Sequence, residues 1–181
     1  STNLGDRKRN LAAAYLEQRI SFNRFNFTHG VSFQYFSDFG PRFFYGVDMS
    51  YQLTANTNFY ASYGTTYRVP SYTDRFYEDP VNIGNPDLEP ETAINYEIGF
   101  KNISRYFNFQ TAVFRRIGTN MIDWVKDNPD DQWMPVNLNR IPNTGFEASV
   151  VIDLAKLSAK EFLGYQRINY TYINAELENI E

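Results

Sequence analysis

The chain has 181 residues, enough for one domain of ordinary size, and 18% of them are aromatic. It contains no cysteine, which excludes disulfides and thiolate metal sites, and its net charge of -4 comes with scattered Lys and Arg, which disfavours nucleic-acid binding. No apolar run approaches the roughly 20 residues of a transmembrane helix. The mean hydropathy of -0.50 nevertheless suits a membrane β-barrel, whose strands alternate apolar and polar residues.

In chain order, residues 10–20 form a first, less regular candidate strand, and residues 24–37 and 42–53 follow with a clear period of two. One face of these two strands is predicted to carry the large apolar residues, and the other face the polar and small ones. The apolar set is Phe25, Phe27, Val31, Phe33, Tyr35, Tyr45, Val47, Met49 and Tyr51. The polar set includes Gln34, Asp48, Ser50 and Gln52.

The second half of the chain continues the alternation in residues 57–67, 94–101, 146–154 and 168–172. Residues 106–125 form one long candidate strand whose phase is ambiguous at Arg115 and Arg116, where we expect a bulge or an exit from the membrane. Counted together, these segments predict about eight strands.

The connections alternate in length along the chain. Residues 21–24, 54–57 and 102–105 form short turns, whereas the intervening connections 37–41, 68–91 and 126–139 include two long ones. Residues 155–162 make a longer turn with room for a helical turn. Short turns on one rim and long loops on the other are typical of an outer-membrane meander.

Two fold classes fit this pattern. Several strands hold phase for ten residues or more, which favours a partial transmembrane β-barrel, an all-β antiparallel meander, because sandwich strands are usually shorter. The alternative is a soluble β-sandwich that binds a ligand such as carbohydrate, with Tyr and Trp as stacking platforms.

Four motifs between residues 60 and 101 carry a family resemblance. They are Tyr60-Ala61-Ser62-Tyr63-Gly64, Arg68-Val69-Pro70-Ser71, Gly84-Asn85-Pro86-Asp87-Leu88-Glu89-Pro90-Glu91 and Tyr96-Glu97-Ile98-Gly99-Phe100-Lys101. In this order they resemble the barrel signature of TonB-dependent outer-membrane receptors. We interpret residues 84–91 as a structural loop return in which Leu88 pins the loop inward.

The resemblance implies a function and partners. It implies a place in the bacterial outer membrane, contact with its lipid, and active uptake of a large scarce nutrient, such as cobalamin or an iron chelate, without catalysis or cofactor. An intact receptor of this kind has about 22 strands, an internal plug domain and a segment that contacts TonB. We therefore expect residues 1–181 to be a single barrel segment with no plug, no TonB box and an incomplete barrel, unable to bind TonB itself.

The candidate ligand-binding residues lie in and beside the long connection 68–91. Aromatic side chains next to charged ones suit the recognition of a large ligand. The candidates are Arg68, Tyr72, Asp74, Arg75, Tyr77, Asp79 and Asn82. We expect no catalytic residues and no metal site, since His29 stands alone on an apolar face and Asp127, Asp130 and Asp131 lack calcium-loop spacing.

The isolated segment is also expected to hide its apolar face in water. An apolar surface of this size exceeds what a soluble monomer tolerates, and unpaired edge strands recruit other chains. We expect the sheet to curl more tightly or to self-associate, so that Phe27, Phe33, Val47 and Met49 become buried.

Overall fold

The computed structural model describes residues 4–158 and 160–176, which form one antiparallel sheet of eight strands. Each strand pairs with its neighbours in sequence, in the order β1-β2-β3-β4-β5-β6-β7-β8. The strands are β1 (Leu11–Phe22), β2 (Phe25–Phe36), β3 (Gly40–Thr54), β4 (Thr57–Arg68), β5 (Glu91–Ile103), β6 (Phe107–Val125), β7 (Met134–Asp153) and β8 (Tyr165–Ala175). The predicted meander of about eight strands is confirmed.

Short helices occupy two of the connections. Helix α1 (Tyr72–Phe76) lies in the long connection between β4 and β5. Helix α2 (Leu154–Ser158) and a 3-10 helix (Glu161–Leu163) lie between β7 and β8, so the predicted helical turn there is confirmed. No helix within the described residues has the length and apolar character needed to span a membrane.

The pairing registers confirm the predicted faces. Phe27 pairs with Met49 and Phe33 with Phe43, so the large apolar residues of β2 and β3 share one face of the sheet, the aromatic face. Asp48 pairs with Ser62, and Ser62 pairs with Glu97, on the opposite, polar face. A register slip of one residue would exchange the two faces.

A single sheet excludes the sandwich alternative. A sandwich needs two sheets packed face to face, whereas the described strands all belong to one sheet that has not closed on itself. In that part of the chain β1 and β8 are the two outer strands, and the architecture is that of a partial barrel.

Of the two alternatives expected at Arg115 and Arg116, the bulge is wrong. Both residues keep regular pairing, Arg115 with Thr144 and Arg116 with Asn143, so they lie on opposite faces of β6. The register between β6 and β7 is also the same on both sides of Asn120, whose φ of 56° is a local irregularity that Asn tolerates better than most residues do. A register shift occurs instead between β3 and β4, at Gln52 and Thr54.

Aromatic rings on the polar face lie flat over glycines of the neighbouring strand. A Cβ added at Gly99 would overlap the phenol ring of Tyr60, and one added at Gly145 would overlap the ring of Phe114. The rings therefore occupy the space that a side chain would otherwise fill. This packing covers a glycine in a strand, which is otherwise a weak point of a sheet.

Gly99→Ala is expected to destabilise the folded sheet by about 1–3 kcal/mol, because the added methyl group displaces the Tyr60 ring. Gly64→Ala is the control, since nothing lies within 4 Å of a Cβ at that position. Urea unfolding of the protein in lipid vesicles measures both changes. Equal effects of the two substitutions would contradict the packing argument, and Tyr60→Ala should relieve the strain of Gly99→Ala.

Self-association of the isolated segment stays a prediction. In the single chain the Met49 side chain is 52% exposed and Ile98 is 69% exposed, so the aromatic face presents a large apolar surface. Light scattering should show particles larger than one chain in detergent-free buffer and single chains in detergent micelles. A soluble monomer without detergent would refute it.

Candidate ligand-binding site at the long-loop rim

The connection between β4 and β5 begins with a well-formed helix cap. The Asp74 amide donates to Ser71 Oγ at 3.0 Å, and the Ser71 amide donates to the Asp74 carboxylate at 2.9 Å. This reciprocal arrangement satisfies two backbone donors at the start of α1. The Asp74 carboxylate is therefore engaged in local structure, although sequence analysis selected it as a ligand contact.

A tight turn after α1 is built around Asp79. Its carboxylate accepts from the amides of Val81 at 2.7 Å and Asn82 at 2.6 Å, from the Asn82 side chain at 3.0 Å and from the Tyr77 hydroxyl at 2.9 Å. The Asn82 side chain and these other donors lower the pKa of Asp79 below its ordinary value of 3.8, while the carboxylate raises the pKa of Tyr77. The Asp79 carboxylate therefore stays ionised and keeps these hydrogen bonds, except in strongly acidic solution.

The same connection is fastened to the extension of β6 and β7 beyond the rest of the sheet. The Trp133 amide donates to the Val81 carbonyl at 2.8 Å, and the Ile83 amide donates to the Trp133 carbonyl at 2.9 Å. Further along, Asn137 accepts from the Glu89 amide and donates to the Glu89 carbonyl, each at 2.8 Å. The connection is therefore an ordered wall.

The other end of this wall rests on the connection between β2 and β3. Arg75 donates to the Pro86 carbonyl at 2.9 and 3.1 Å and lies 3.6 Å from the Asp38 carboxylate. Arg9, which precedes β1, pairs with the same carboxylate at 2.9 Å and donates to the Pro70 carbonyl at 2.9 Å. One carboxylate thus ties the start of β1 to α1.

Arg68 and Glu91 face each other where β4 ends and β5 begins. Arg68 donates to both oxygens of the Glu91 carboxylate, at 2.5 and 2.6 Å, and its guanidinium lies 3.5 Å from Asp74. Glu91 also accepts from the Ile122 amide of β6 at 2.8 Å. The Glu91 side chain is 9% exposed and that of Arg68 is 49% exposed, so only Arg68 is available to a ligand.

The polar face below this pair holds a cleft of about 280 Å³. Its lining includes Thr66, Arg68, Glu91, Asn95, Arg116 and Met121. Arg116 and Asn95 are also part of a second hollow of about 430 Å³ farther from the rim, which Glu97 and Glu147 line. The two hollows share Asn95 and Arg116; Arg68 and Glu91 line the one near the rim, and Glu97 and Glu147 line the other.

The structure thus separates the seven predicted residues by what they touch. Arg68 opens into the cleft, whereas Asp74, Arg75, Asp79 and Asn82 are hydrogen-bonded within the wall. The Tyr77 hydroxyl is bonded to Asp79. The Tyr72 ring stacks with Phe76 at 6.3 Å, and its hydroxyl is buried without a hydrogen-bond partner among the described residues.

Sequence analysis missed Asn95 and Arg116 as candidates. They pair directly across β5 and β6 and share the polar face with Arg68. The alternation assigned Asn95 to a polar face, but its proximity to Arg116 depends on the register between strands. The described residues hold no group of three or more His, Asp or Glu side chains arranged for a metal ion.

Comparison with known proteins gives the chain a family context. A family model described as "TonB dependent receptor-like, beta-barrel" matches residues 1–180. The chain is 24% identical to the vitamin B12 transporter BtuB of Vibrio vulnificus, over 84% of this chain and 24% of the relative. It is 23% identical to BtuB of Photobacterium profundum, over 99% of this chain and 28% of the relative. The chain spans about a quarter of the length of these relatives.

Solved structures agree on the fold. The siderophore receptor PirA from Pseudomonas aeruginosa superposes with a TM-score of 0.78 at 20% identity, over 92% of this chain and 32% of that one. The ferric citrate transporter FecA in its unliganded form superposes with a TM-score of 0.66 at 19% identity, over 93% of this chain and 26% of that one.

Asp79→Ala is expected to loosen the turn after α1, because two backbone amides lose a charged acceptor. These hydrogen bonds to a charged acceptor protect the Val81 and Asn82 amides, so their exchange should accelerate about tenfold. Hydrogen exchange of the detergent-solubilised protein measures this change. Asp87→Ala, in the same connection, is the control, and similar exchange in both variants would contradict the role given to Asp79.

Proposed function

The chain belongs to the family of TonB-dependent receptor β-barrels, and from that premise we propose that it supplies part of the wall and mouth of a receptor for a large, scarce nutrient. Barrels of this family lie in the outer membrane of Gram-negative bacteria, which places this chain there as well. The family is one of transport receptors rather than enzymes.

Membership of this family gives the orientation of the sheet in the membrane. The aromatic face contacts lipid, the polar face lines the lumen, the long-loop rim is extracellular and the short turns are periplasmic. The wall formed by residues 71–90 then lies at the outer mouth, where a nutrient arrives. Its internal hydrogen bonds mean that little ordering is needed when a ligand binds, which favours affinity.

The observation that carries the proposal is the cleft between Arg68, Asn95 and Arg116. It lies on the lumen face directly below the extracellular wall, and it presents the Arg116 guanidinium, the Asn95 amide and the exposed part of Arg68, whose Nε and Nη2 already bind Glu91. Guanidinium groups recognise carboxylates and phosphates through paired hydrogen bonds. Relatives named as transporters of vitamin B12 and of iron chelates support a nutrient of either kind, cobalamin or an iron chelate.

The remaining predicted residues are proposed to act in two ways. Tyr72 and Tyr77 contribute aromatic surface at the mouth. Asp74, Arg75, Asp79 and Asn82 keep the wall in shape and meet a ligand mainly through the backbone that they hold. Changes at these four positions should therefore weaken binding by loosening the wall.

A plug domain is proposed as the partner of the lumen face. Glu97 and Glu147 line the same hollows and have few basic neighbours there apart from Arg116. Carboxylates that face the interior are suited to basic side chains of a domain that fills the barrel. Coupling to TonB is proposed for the intact receptor through that domain, with no contact by this segment.

Arg116→Ala is expected to weaken nutrient binding about tenfold or more, since a hydrogen bond to a charged group is lost. Binding of radiolabelled cobalamin, ferric citrate and a ferric catecholate to the intact receptor in vesicles measures the effect and identifies the nutrient. Arg167→Ala is the control, because Arg167 lies in β8 opposite Val151, far from the rim. Binding of none of these nutrients, or equal affinity of both variants, would overturn the assignment of the cleft.

A further inference from the structure

Arg115 is an exposed arginine on the aromatic face of β6. It pairs with Tyr96 of β5 on one side and with Thr144 of β7 on the other, in an unbroken ladder. Tyr96 stacks on Tyr63 at 5.1 Å, which confirms that this row belongs to the aromatic face. A guanidinium on a lipid-facing surface requires an explanation.

The position of Arg115 along the membrane normal partly explains why a guanidinium is found on this face. Arg115 lies ten residues beyond Arg105 in the periplasmic turn, which corresponds to about 25 Å along the membrane normal for a strand tilted about 40°. The apolar band of such barrels is about 25 Å tall. Arg115 is therefore at the outer boundary of that band, where lipid headgroups begin.

The side chains in the row of Arg115 differ from those on either side of it. Just below it, toward the periplasm, Ile98, Val113 and Phe146 are exposed at 69%, 55% and 38%. In the row of Arg115 itself the partners are Tyr96 and Thr144, which carry hydroxyl groups, and one strand farther Asn174, whose amide donates to the Glu176 carboxylate. The next row toward the rim, Ile94, Ile117 and Pro142, is apolar again. Two hydroxyl groups thus flank the guanidinium, directly above an apolar surface suited to acyl chains.

Arg115 also has no carboxylate within ion-pair distance among the described residues. Its neighbour Arg116 points into the lumen beside Glu91 and Asn95, so the two arginines serve different surroundings. A planar guanidinium presents paired donors that match a phosphate group. At the headgroup level of a membrane, phosphate is the anion that is fixed in place beside acyl chains.

We propose that Arg115, with Tyr96 and Thr144, binds the phosphate of an outer-leaflet lipid whose acyl chains lie on Ile98, Val113 and Phe146. This inference rests on the proposed function, because it uses the orientation of the barrel in the outer membrane. The occupant is a lipid, since the apolar surface continues directly below the polar row.

The test uses the intact receptor, stripped of lipid in detergent, and native mass spectrometry. The probes are a diphosphorylated lipid A, the same glycolipid without its phosphates, and inorganic phosphate. The wild-type receptor should retain the phosphorylated lipid and bind the dephosphorylated one about tenfold more weakly, the ratio expected for a charge-assisted pair. Inorganic phosphate should not displace the lipid.

Substitutions locate the site. Arg115→Gln should reduce retention of the phosphorylated lipid about tenfold, and Arg115→Lys should fall between Gln and wild type, because Lys keeps the charge but lacks the paired donors. Arg116→Gln is the matched control, one residue away on the opposite face, and should retain the lipid as wild type does. Nutrient binding should be unchanged in Arg115→Gln.

Three outcomes would overturn the proposal. The first is equal lipid retention by wild type and Arg115→Gln. The second is equal retention of the phosphorylated and dephosphorylated lipids, which would show that the acyl chains alone decide binding. The third is a receptor dimer that dissociates in Arg115→Gln, which would assign this surface to a second copy. Absence of nutrient binding by the wild-type receptor, with normal lipid retention, would instead count against the proposed function alone.

Discussion

A sheet that crosses a membrane has to satisfy its backbone hydrogen bonds internally while its two faces meet different surroundings. The pairing registers show how this chain meets both demands. The ladder between β4 and β5 runs unbroken from Thr57 to Arg68, and the same register places Ala61 beside Ile98 on the lipid side and Ser62 beside Glu97 on the lumen side. Because successive side chains point to opposite faces, the register that sets the hydrogen bonds also sets which residues lie on each face.

This alternation explains the unusual composition. Large aromatic residues give the lipid side its surface, as Phe59 against Phe100 at 5.1 Å illustrates. On the lumen side, aromatic rings such as those of Tyr60 and Phe114 instead lie over glycines and keep the interior open. Aromatic residues therefore have different roles on the two faces. On the lumen side, the positions of the glycines decide where a ring is able to lie flat.

The sequence was sufficient to predict the strands and their faces, because a period of two over ten or more residues is visible without coordinates. It was insufficient to predict which residues form the candidate site. Asp79 and Asn82 have the residue types of ligand contacts, but the chain folds back so that they bind each other and nearby amides. Arg116 was not selected because its nearness to Arg68 depends on the registers of three strands, which no local pattern contains. The bulge was wrongly expected for a related reason: two adjacent arginines suggest a break in phase, whereas Arg115 and Arg116 pair regularly and lie on opposite faces of β6.

The motif at residues 84–91 is best explained by this geometry. Leu88 is 3% exposed, which confirms that it pins the connection inward, and the motif ends at Glu91, the carboxylate that joins β4, β5 and β6. A buried carboxylate needs such partners, because an uncompensated charge in this position is strongly unfavourable. Its partner Arg68 keeps half of its side chain open to the cleft. In the proposed function, structural support and ligand contact are therefore divided between the two members of one ion pair: Glu91 joins the strands, and Arg68 is the residue proposed to contact the nutrient.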